Sequence, residues 1–204
     1  MSKRCRTAVL ISGRGSNMQS LVAASKAADY PAEIVLVISN RPDAGGLAFA
    51  RNQGIAAVAI DHKEFTNRAA FEDALDTVLR DHDIDLVACA GFMRILSPAF
   101  VEKWLGRILN IHPSLLPAYR GLNTHERALA DGVTEHGCSV HFMVAELDAG
   151  PIIAQARVPV LEDDTVDTLA ARVLAAEHEI YPKALASVAS GDARLDQADG
   201  LSEC

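Results

Sequence analysis

The spacing of apolar residues changes repeatedly along the first half of the chain. Short runs rich in Val, Ile, Leu and Ala are apolar throughout, which is typical of strands in a parallel sheet that is covered on both faces. The stretches between them have the spacing of amphipathic helices. The pattern predicts strands over residues 7–12, 33–39, 56–60 and 86–90, separated by helices over residues 17–27, 46–52 and 67–81.

Two of these helices carry residues that favour a helix start. Ser16 precedes the first helix, and Gln19 follows three residues later, which together predict a capping box. Thr66 is the predicted N-cap of the helix over residues 67–81.

The second half is less regular, and its longest element is a helical pattern over residues 165–187 that we expect to be interrupted near Pro182. The remaining predictions are helices over residues 97–103 and 124–131, strands over residues 108–112, 139–144 and 152–158, and a mobile polar tail from about residue 190 to 204.

Together these elements predict an α/β fold: an open, mostly parallel, twisted sheet of about seven strands with helices on both faces. A length of 204 residues suits a single domain over residues 1–204,. We expect an N-terminal half over about residues 1–105 with a Rossmann-like alternation, and a second half over about residues 106–190.

Charge and composition argue against several classes of protein. The net charge of −8 and the pI near 5.3 argue against a nucleic-acid-binding protein,. No apolar run approaches the length of about 20 residues that a membrane-spanning helix needs. The four cysteines are far apart in sequence and have no zinc-binding spacing, so we expect no metal site and a reducing cytoplasmic location,.

A glycine-containing turn, Gly13-Arg14-Gly15-Ser16-Asn17, lies between the first predicted strand and helix. Such a turn offers backbone N–H groups and the positive end of a helix dipole to an anion. The alternative is a tight turn that binds nothing. Met18 stands where a dinucleotide-binding motif needs glycine, and residues 39–41 at the end of the second strand read Ser-Asn-Arg where the motif needs an acid, which argues against NAD,. Arg41 leaves NADP open, and a phosphate monoester fits best.

Asn110 and His112 form a second candidate site near the end of a predicted strand. Being two residues apart, they point to the same face, and an amide and an imidazole together can donate hydrogen bonds to a developing oxyanion. The alternative is a buried polar pair that binds loop backbone. His141 lies within another predicted strand, where it either packs inside or faces solvent, whereas His136 is predicted to be at the surface.

Asp148 lies in an acidic loop that continues into Gly150 and Pro151, which suggests a fixed turn,. The ordinary interpretation is a turn residue. The functional interpretation is a carboxylate close to His112 that would favour the cationic imidazole, which could then stabilise negative charge.

The chain resembles the folate-dependent formyltransferases from residue 7 to about residue 183. Four segments in order carry the resemblance: residues 11–17, residues 90–96 (Ala-Gly-Phe-Met-Arg-Ile-Leu), residues 110–117 (Asn-Ile-His-Pro-Ser-Leu-Leu-Pro) and residues 137–150. The segment Gly-Leu-Asn-Thr-His at residues 121–125 is similar to the purine-pathway branch of the family. Relatives that act on transfer RNA normally carry a further C-terminal domain, and relatives that hydrolyse formylfolate normally carry an N-terminal one. We expect neither domain here.

The resemblance implies the formyltransferase fold and transfer of a formyl group from 10-formyltetrahydrofolate to the amine of 5'-phosphoribosylglycinamide in purine biosynthesis. It implies 10-formyltetrahydrofolate as cosubstrate, no metal, only small-molecule substrates as partners, and a monomer or weak homodimer. By the same resemblance, the catalytic residues are Asn110, His112 and Asp148; the ribonucleotide-binding residues are Gly15, Ser16, Asn17 and Glu177; and the folate-binding residues are Arg68, Met93, Arg94, Ile95, Leu96, Asn110, Leu147 and Asp148.

Three residues depart from the pattern of the family. Leu174 stands where relatives often have a polar glutamine, Ala145 where an acid is common, and Asn123 where histidine is frequent. These departures bear on individual substrate contacts. Three alternative functions stay open: a 10-formyltetrahydrofolate hydrolase that uses water as acceptor, an NADP-dependent oxidoreductase that uses the turn at residues 13–17, and a non-catalytic sensor that binds a nucleotide or folate.

Overall fold

The computed structural model describes residues 4–195, and its core is a seven-stranded sheet with the order β3-β2-β1-β4-β5-β6-β7. Strands β1 to β5 are parallel, and β6 and β7 are antiparallel to their neighbours. The strands are β1 (Cys5–Ile11), β2 (Ala32–Ser39), β3 (Ala56–Ala59), β4 (Leu86–Cys89), β5 (Ile108–His112), β6 (Glu135–Phe142) and β7 (Ile152–Pro159).

The helices connect these strands and cover both faces of the sheet. They are α1 (Ser16–Ala24), α2 (Gly45–Asn52), α3 (Arg68–Asp81), α4 (Pro98–Lys103), α5 (Thr124–Ala130) and α6 (Val166–Ser190), and a single 3-10 turn covers His62–Glu64. The predicted α/β class, the number of strands and their mostly parallel order are therefore confirmed.

Alternate residues of β1 belong to two separate hydrophobic cores. Val9 and Ile11 pack in a core with residues of α1, α2 and α6. Ala8 and Leu10 pack in the other, with residues of α3 and α4 such as Leu75 and Phe100. Successive side chains of a strand point to opposite faces, so a central strand must be apolar at every position to be buried on both sides. This explains the uninterrupted apolar runs of the first half.

The order of strands places the ends of β1 and β4 at a topological switch point. The chain proceeds from β1 to β2 and β3 on one side, and then returns to β4 and β5 on the other. Open α/β sheets leave a crevice for ligands outside the carboxyl ends of the strands at such a point. The turn after β1 and the segment after β4 both lie at this edge.

Both predicted helix caps are wrong. Gly15, in a left-handed conformation with φ 70°, is the N-cap of α1, and Ser16 is already helical, so its hydroxyl cannot cap the helix,. Asn67 rather than Thr66 caps α3, since its side chain accepts a hydrogen bond from the backbone N–H of Ala70.

The predicted interruption near Pro182 is also wrong, because α6 continues through it to Ser190. The neighbouring residues Tyr181, Ala184 and Leu185 are buried in the core, and this packing outweighs the backbone hydrogen bond that proline removes,. Ser190 therefore belongs to α6, while residues 196–204 of the predicted tail lie outside the described part. Within residues 4–195, no helix is long and apolar enough to cross a membrane.

Candidate active site

The turn between β1 and α1 leaves the start of the helix uncapped by its own side chains. The N-cap is Gly15, which has no side chain to accept hydrogen bonds from the N–H groups of the first turn of α1. Its positive φ strains any residue other than glycine, and a Cβ at this position would lie 2.9 Å from Cε of Met18,. The free N–H groups and the helix dipole give this turn the chemistry of an anion site.

The start of α2 packs closely against the same turn. The backbone N–H of Gly46 donates to the carbonyl oxygen of Gly13 at 3.1 Å. A Cβ on Gly46 would collide with the Ile11 side chain and would lie 3.2 Å from the carbonyl oxygen of Arg14. Glycine at position 46 therefore allows α2 to support the turn that carries Ser16 and Asn17.

Two of the predicted ribonucleotide-binding residues are in direct contact, although one lies near each end of the chain. Nδ2 of Asn17 donates a hydrogen bond to Oε2 of Glu177 at 2.6 Å, and both side chains are buried. Burial raises the pKa of Glu177, and the hydrogen bond from Asn17 offsets part of that increase,. Oδ1 of Asn17 is buried and has no hydrogen-bond partner among residues 4–195.

Asn110 and His112 occupy β5 beside the antiparallel strand β6. Asn110 pairs with His141 and His112 pairs with Ser139, so the four side chains share one face,. Nε2 of His112 lies 3.0 Å from the carbonyl oxygen of Tyr119. A carbonyl oxygen only accepts, so Nε2 carries a proton and donates a hydrogen bond to this oxygen.

Asp148 reaches His112 from the loop between β6 and β7. Its Oδ2 lies 3.4 Å from Nδ1 of His112, and both side chains are only 7 % exposed. The same oxygen accepts a hydrogen bond from the backbone N–H of Gly121 at 2.9 Å. Both ring nitrogens of His112 thus face acceptor oxygens.

Gly150 allows this loop to return to the sheet. A Cβ at this position would collide with the carbonyl oxygen of Phe142. Asp148 itself has a positive φ of 51°, which Asp tolerates better than most residues do,. The loop is therefore held in an uncommon conformation that presents the carboxylate to His112.

His141 lies between Asn110 and Asp148, although the sequence left its orientation open. It is 2 % exposed, with Nε2 3.2 Å from Nδ2 of Asn110 and 3.8 Å from Oδ1 of Asp148. Burial lowers the pKa of His141, and the hydrogen bond to the backbone of Phe142 and the charge of Asp148 offset this decrease only in part. His141 is thus a site residue that sequence reasoning did not single out.

His136 contradicts the surface position that was predicted for it. It is 1 % exposed, and its Nε2 lies 3.2 Å from Nδ1 of His125. Burial lowers the pKa of His136 to about 4. The reason is that β6 begins at Glu135, earlier than its predicted start, so His136 lies within the sheet.

The segment after β4 carries four of the predicted folate-binding residues. Met93, Arg94 and Ile95 are exposed, with Met93 at 70 % and Ile95 at 66 %, whereas Leu96 is buried. Exposed apolar side chains at a ligand-binding edge can contact a flat aromatic ligand. Leu147, beside Asp148, is also half exposed.

Hydrogen bonds attach this segment to β1 and α3. The backbone N–H of Met93 donates to Oγ of Ser12 at 2.7 Å. At the other end, the backbone N–H of Ser97 donates to Oε1 of Glu72, on α3, at 2.6 Å. Arg68 is exposed at the first residue of α3, on the side of the sheet where Leu96 packs.

The described residues contain no group of three or more His, Cys, Asp or Glu side chains with the arrangement of a metal site. The three residues that depart from the family pattern differ in burial: Ala145 and Asn123 are exposed, and Leu174 is partly buried on α6.

Comparison with known proteins gives consistent matches. A model of the formyl transferase family matches residues 5–185. The chain is 53% identical over 195 residues to a trifunctional purine biosynthetic protein adenosine-3 from Bos taurus, but these residues span about a fifth (19%) of that protein. It is 48% identical over 189 residues to phosphoribosylglycinamide formyltransferase of Escherichia coli, covering 93% of this chain and 89% of that one.

A solved structure agrees with these matches. Phosphoribosylglycinamide formyltransferase from Coxiella burnetii superposes with a TM-score of 0.90 at 48% identity, covering 96% of this chain and 92% of the other. The family model, the sequence relatives and the solved structure agree with one another. The chain belongs to the formyl transferase family.

Proposed function

We propose that this protein transfers the formyl group of 10-formyltetrahydrofolate to the amine of 5'-phosphoribosylglycinamide, a reaction of purine biosynthesis. The observation that carries the proposal is the meeting of Asn110, His112 and Asp148 on one face of the sheet, with Asp148 3.4 Å from the ring of His112. The phosphoribosylglycinamide formyltransferases similar to this chain support the choice of substrate.

The ribonucleotide is proposed to bind at the carboxyl end of β1. The uncapped first turn of α1, with Gly15, Ser16 and Asn17, suits a phosphate monoester,. Glu177 would accept hydrogen bonds from ribose hydroxyls. The unpartnered Oδ1 of Asn17 offers a further buried acceptor in the same place, which fits a ligand rich in hydroxyl and amine donors,.

The folate is proposed to bind along the segment after β4 and the loop that carries Leu147. The exposed apolar side chains of Met93, Ile95 and Leu147 suit a pterin ring, and backbone groups of residues 93–96 offer hydrogen bonds to its edge,. Arg68 and Arg94 are exposed cations that suit a carboxylate tail,.

In the proposed reaction, the neutral amine forms a bond to the formyl carbon, and the bond from that carbon to the folate nitrogen breaks. The cosubstrate supplies the activated formyl group. Negative charge develops on the formyl oxygen, and Asn110 and the cationic His112 donate hydrogen bonds to it. For this, the Nε2–H of His112 would exchange the carbonyl oxygen of Tyr119 for the formyl oxygen, while Nδ1 stays beside Asp148. Such a donor contributes about a hundred- to a thousandfold in rate.

Asp148 is proposed to keep His112 cationic and to assist transfer of a proton from the attacking amine to the departing folate nitrogen. Proximity contributes as well, because both substrates would bind at adjoining parts of one sheet edge. The proposed partners are small molecules, and we propose a cytoplasmic location, in keeping with purine biosynthesis. A monomer or weak homodimer stays a prediction.

A two-substrate assay tests the proposal. Purified protein with 10-formyltetrahydrofolate and 5'-phosphoribosylglycinamide should produce deformylated folate and formylated ribonucleotide in equal amounts. Deformylation that is independent of the ribonucleotide would indicate a hydrolase instead. Fluorescence titration with NADPH examines the oxidoreductase alternative, for which saturable binding and hydride transfer would be required.

A further inference from the structure

His141 is held in one tautomer by its own backbone. Its Nδ1 lies 2.9 Å from the carbonyl oxygen of Phe142. Because this oxygen can only accept, Nδ1 must carry the proton. Burial favours the neutral ring, as the lowered pKa of His141 indicates. A neutral ring that is protonated on Nδ1 leaves a lone pair on Nε2.

That lone pair faces the amide of Asn110. Nδ2 of Asn110 lies 3.2 Å from Nε2 of His141 and can donate to it. An amide can rotate by half a turn and exchange its nitrogen and oxygen, and only the hydrogen bonds around it select one orientation. An acceptor on the ring selects the orientation in which nitrogen points toward His141. One N–H of Asn110 is then used, and the second stays available.

We propose that His141 is a positioning residue that fixes the Asn110 amide with its nitrogen directed to the reacting oxygen, an inference that rests on the proposed formyl transfer. If Nε2 of His141 carried a proton, it would attract the amide oxygen of Asn110. The amide would then turn an acceptor toward a developing oxyanion, which repels it. In this proposal, the Phe142 carbonyl fixes the tautomer of His141, and that tautomer fixes the orientation of the Asn110 amide.

Two substitutions separate the two nitrogens of the ring. In His141→Asn, the shorter amide can retain a donor near the Nδ1 position but has no acceptor that reaches Asn110. In His141→Gln, the longer amide can place an acceptor near the Nε2 position. We expect kcat to fall about a hundredfold in His141→Asn, as for loss of one oxyanion donor, with KM for each substrate within about threefold. His141→Gln should retain kcat within about tenfold of the wild-type protein.

A double-mutant cycle with Asn110→Ala distinguishes positioning from a general structural role. If His141 acts through Asn110, then His141→Asn should cause no further loss of kcat once Asn110 is alanine. An equal loss of kcat in both backgrounds would overturn the proposal, as would unchanged kcat in His141→Asn.

NMR of the wild-type protein with 15N-labelled histidine tests the tautomer without reference to activity. The proposal requires a proton on Nδ1 and none on Nε2 of His141 at neutral pH, and a proton on Nε2 would overturn it. Because it uses the wild-type protein, this measurement can overturn the proposal even if a variant does not fold. If the wild-type protein has this tautomer but transfers no formyl group, then the proposed function fails rather than the geometry.

Discussion

Asn17 and Glu177 are 160 positions apart in sequence, yet Nδ2 of Asn17 donates to Oε2 of Glu177 at 2.6 Å. The contact joins the first turn of α1 to the middle of α6, two helices that pack in the same core. It places a buried carboxylate beside the anion-binding turn. Burial removes most of the contact of Glu177 with water and therefore disfavours its ionised form,.

The first prediction concerns the charge of Glu177. Burial raises its pKa above the ordinary value of 4.5 in the folded state, so the folded protein binds this proton more tightly than the unfolded chain does,. The resulting stability is complete below the unfolded pKa and is lost as pH rises through the folded pKa. Glu177→Gln should therefore have an increasingly higher Tm than the wild-type protein as pH rises above 4.5, until the difference levels off above the folded pKa, by roughly 2–4 °C for each 1 kcal/mol.

Glu179→Gln is the matched control, because Glu179 lies on the same helix and is exposed. Its Tm difference from the wild-type protein should not change with pH. The gain in stability of Glu177→Gln should be accompanied by weaker ribonucleotide binding, measured by calorimetry. A Tm difference that is constant over the pH range would show that Glu177 is ionised equally in both states.

The second prediction concerns the charge of Asp148. In Asp148→Asn, the amide oxygen can still accept from Gly121, so the loop should keep its position, but the negative charge near His112 disappears. We expect kcat to fall on the order of a hundredfold while ribonucleotide affinity changes little, because the loss weakens stabilisation of the oxyanion. Stopped-flow or steady-state kinetics with calorimetric affinities provide the measurement.

Glu146 provides the control for this substitution, since it is exposed on the same loop and pairs with Arg120. Glu146→Gln should leave kcat within about threefold, as expected for a surface ion pair. Turnover of Asp148→Asn close to that of the wild-type protein would remove Asp148 from the mechanism.

The third prediction concerns the turn that returns the loop to the sheet. A methyl group on Gly150 would meet the carbonyl oxygen of Phe142, so Gly150→Ala must displace the end of the loop that carries Asp148. We expect kcat and Tm both to decrease. Gly45→Ala is the control, because its Cβ would meet nothing within 4 Å. Equal effects of the two substitutions on kcat would mean that the position of the loop does not matter.

The sequence was sufficient for the parts of the fold that depend on burial. The central strands are apolar at every position because both faces of the sheet are covered, and this signal is local. Helix caps were less predictable, because Ser16 and Thr66 are good capping residues in general. At both positions a neighbour, Gly15 or Asn67, has the backbone conformation that a cap requires,.

The site depends on contacts that no local pattern encodes. A period of two shows that Ser139 and His141 share a face of their strand, but not that His141 lies opposite Asn110,. The approach of Asp148 to His112 likewise depends on a loop that folds back from β6. The resemblance to a known family supplied that pairing, and the residues alone left it open.

The fourth prediction concerns Ser12, a buried residue at the end of β1. Its hydroxyl accepts from the backbone N–H of Met93 at 2.7 Å and donates to Oδ1 of Asn40 at 2.5 Å. It thereby attaches the proposed folate-binding segment to the ends of β1 and β2. Ser12→Ala leaves the buried Oδ1 of Asn40 and the partly buried N–H of Met93 without this partner. A buried unsatisfied polar group costs about 1–3 kcal/mol.

We expect the segment around Met93 to move in Ser12→Ala and so to reduce this cost. Met93 is exposed, and the variant loses the hydrogen bond between its backbone and Ser12. We therefore expect KM for 10-formyltetrahydrofolate to rise by about tenfold, while KM for the ribonucleotide stays unchanged. Ser25→Ala, at the far end of α1, is the control, since its hydroxyl only binds the carbonyl of Val22. If KM for both substrates rose equally, then Ser12 would support the whole sheet edge and not the folate segment in particular.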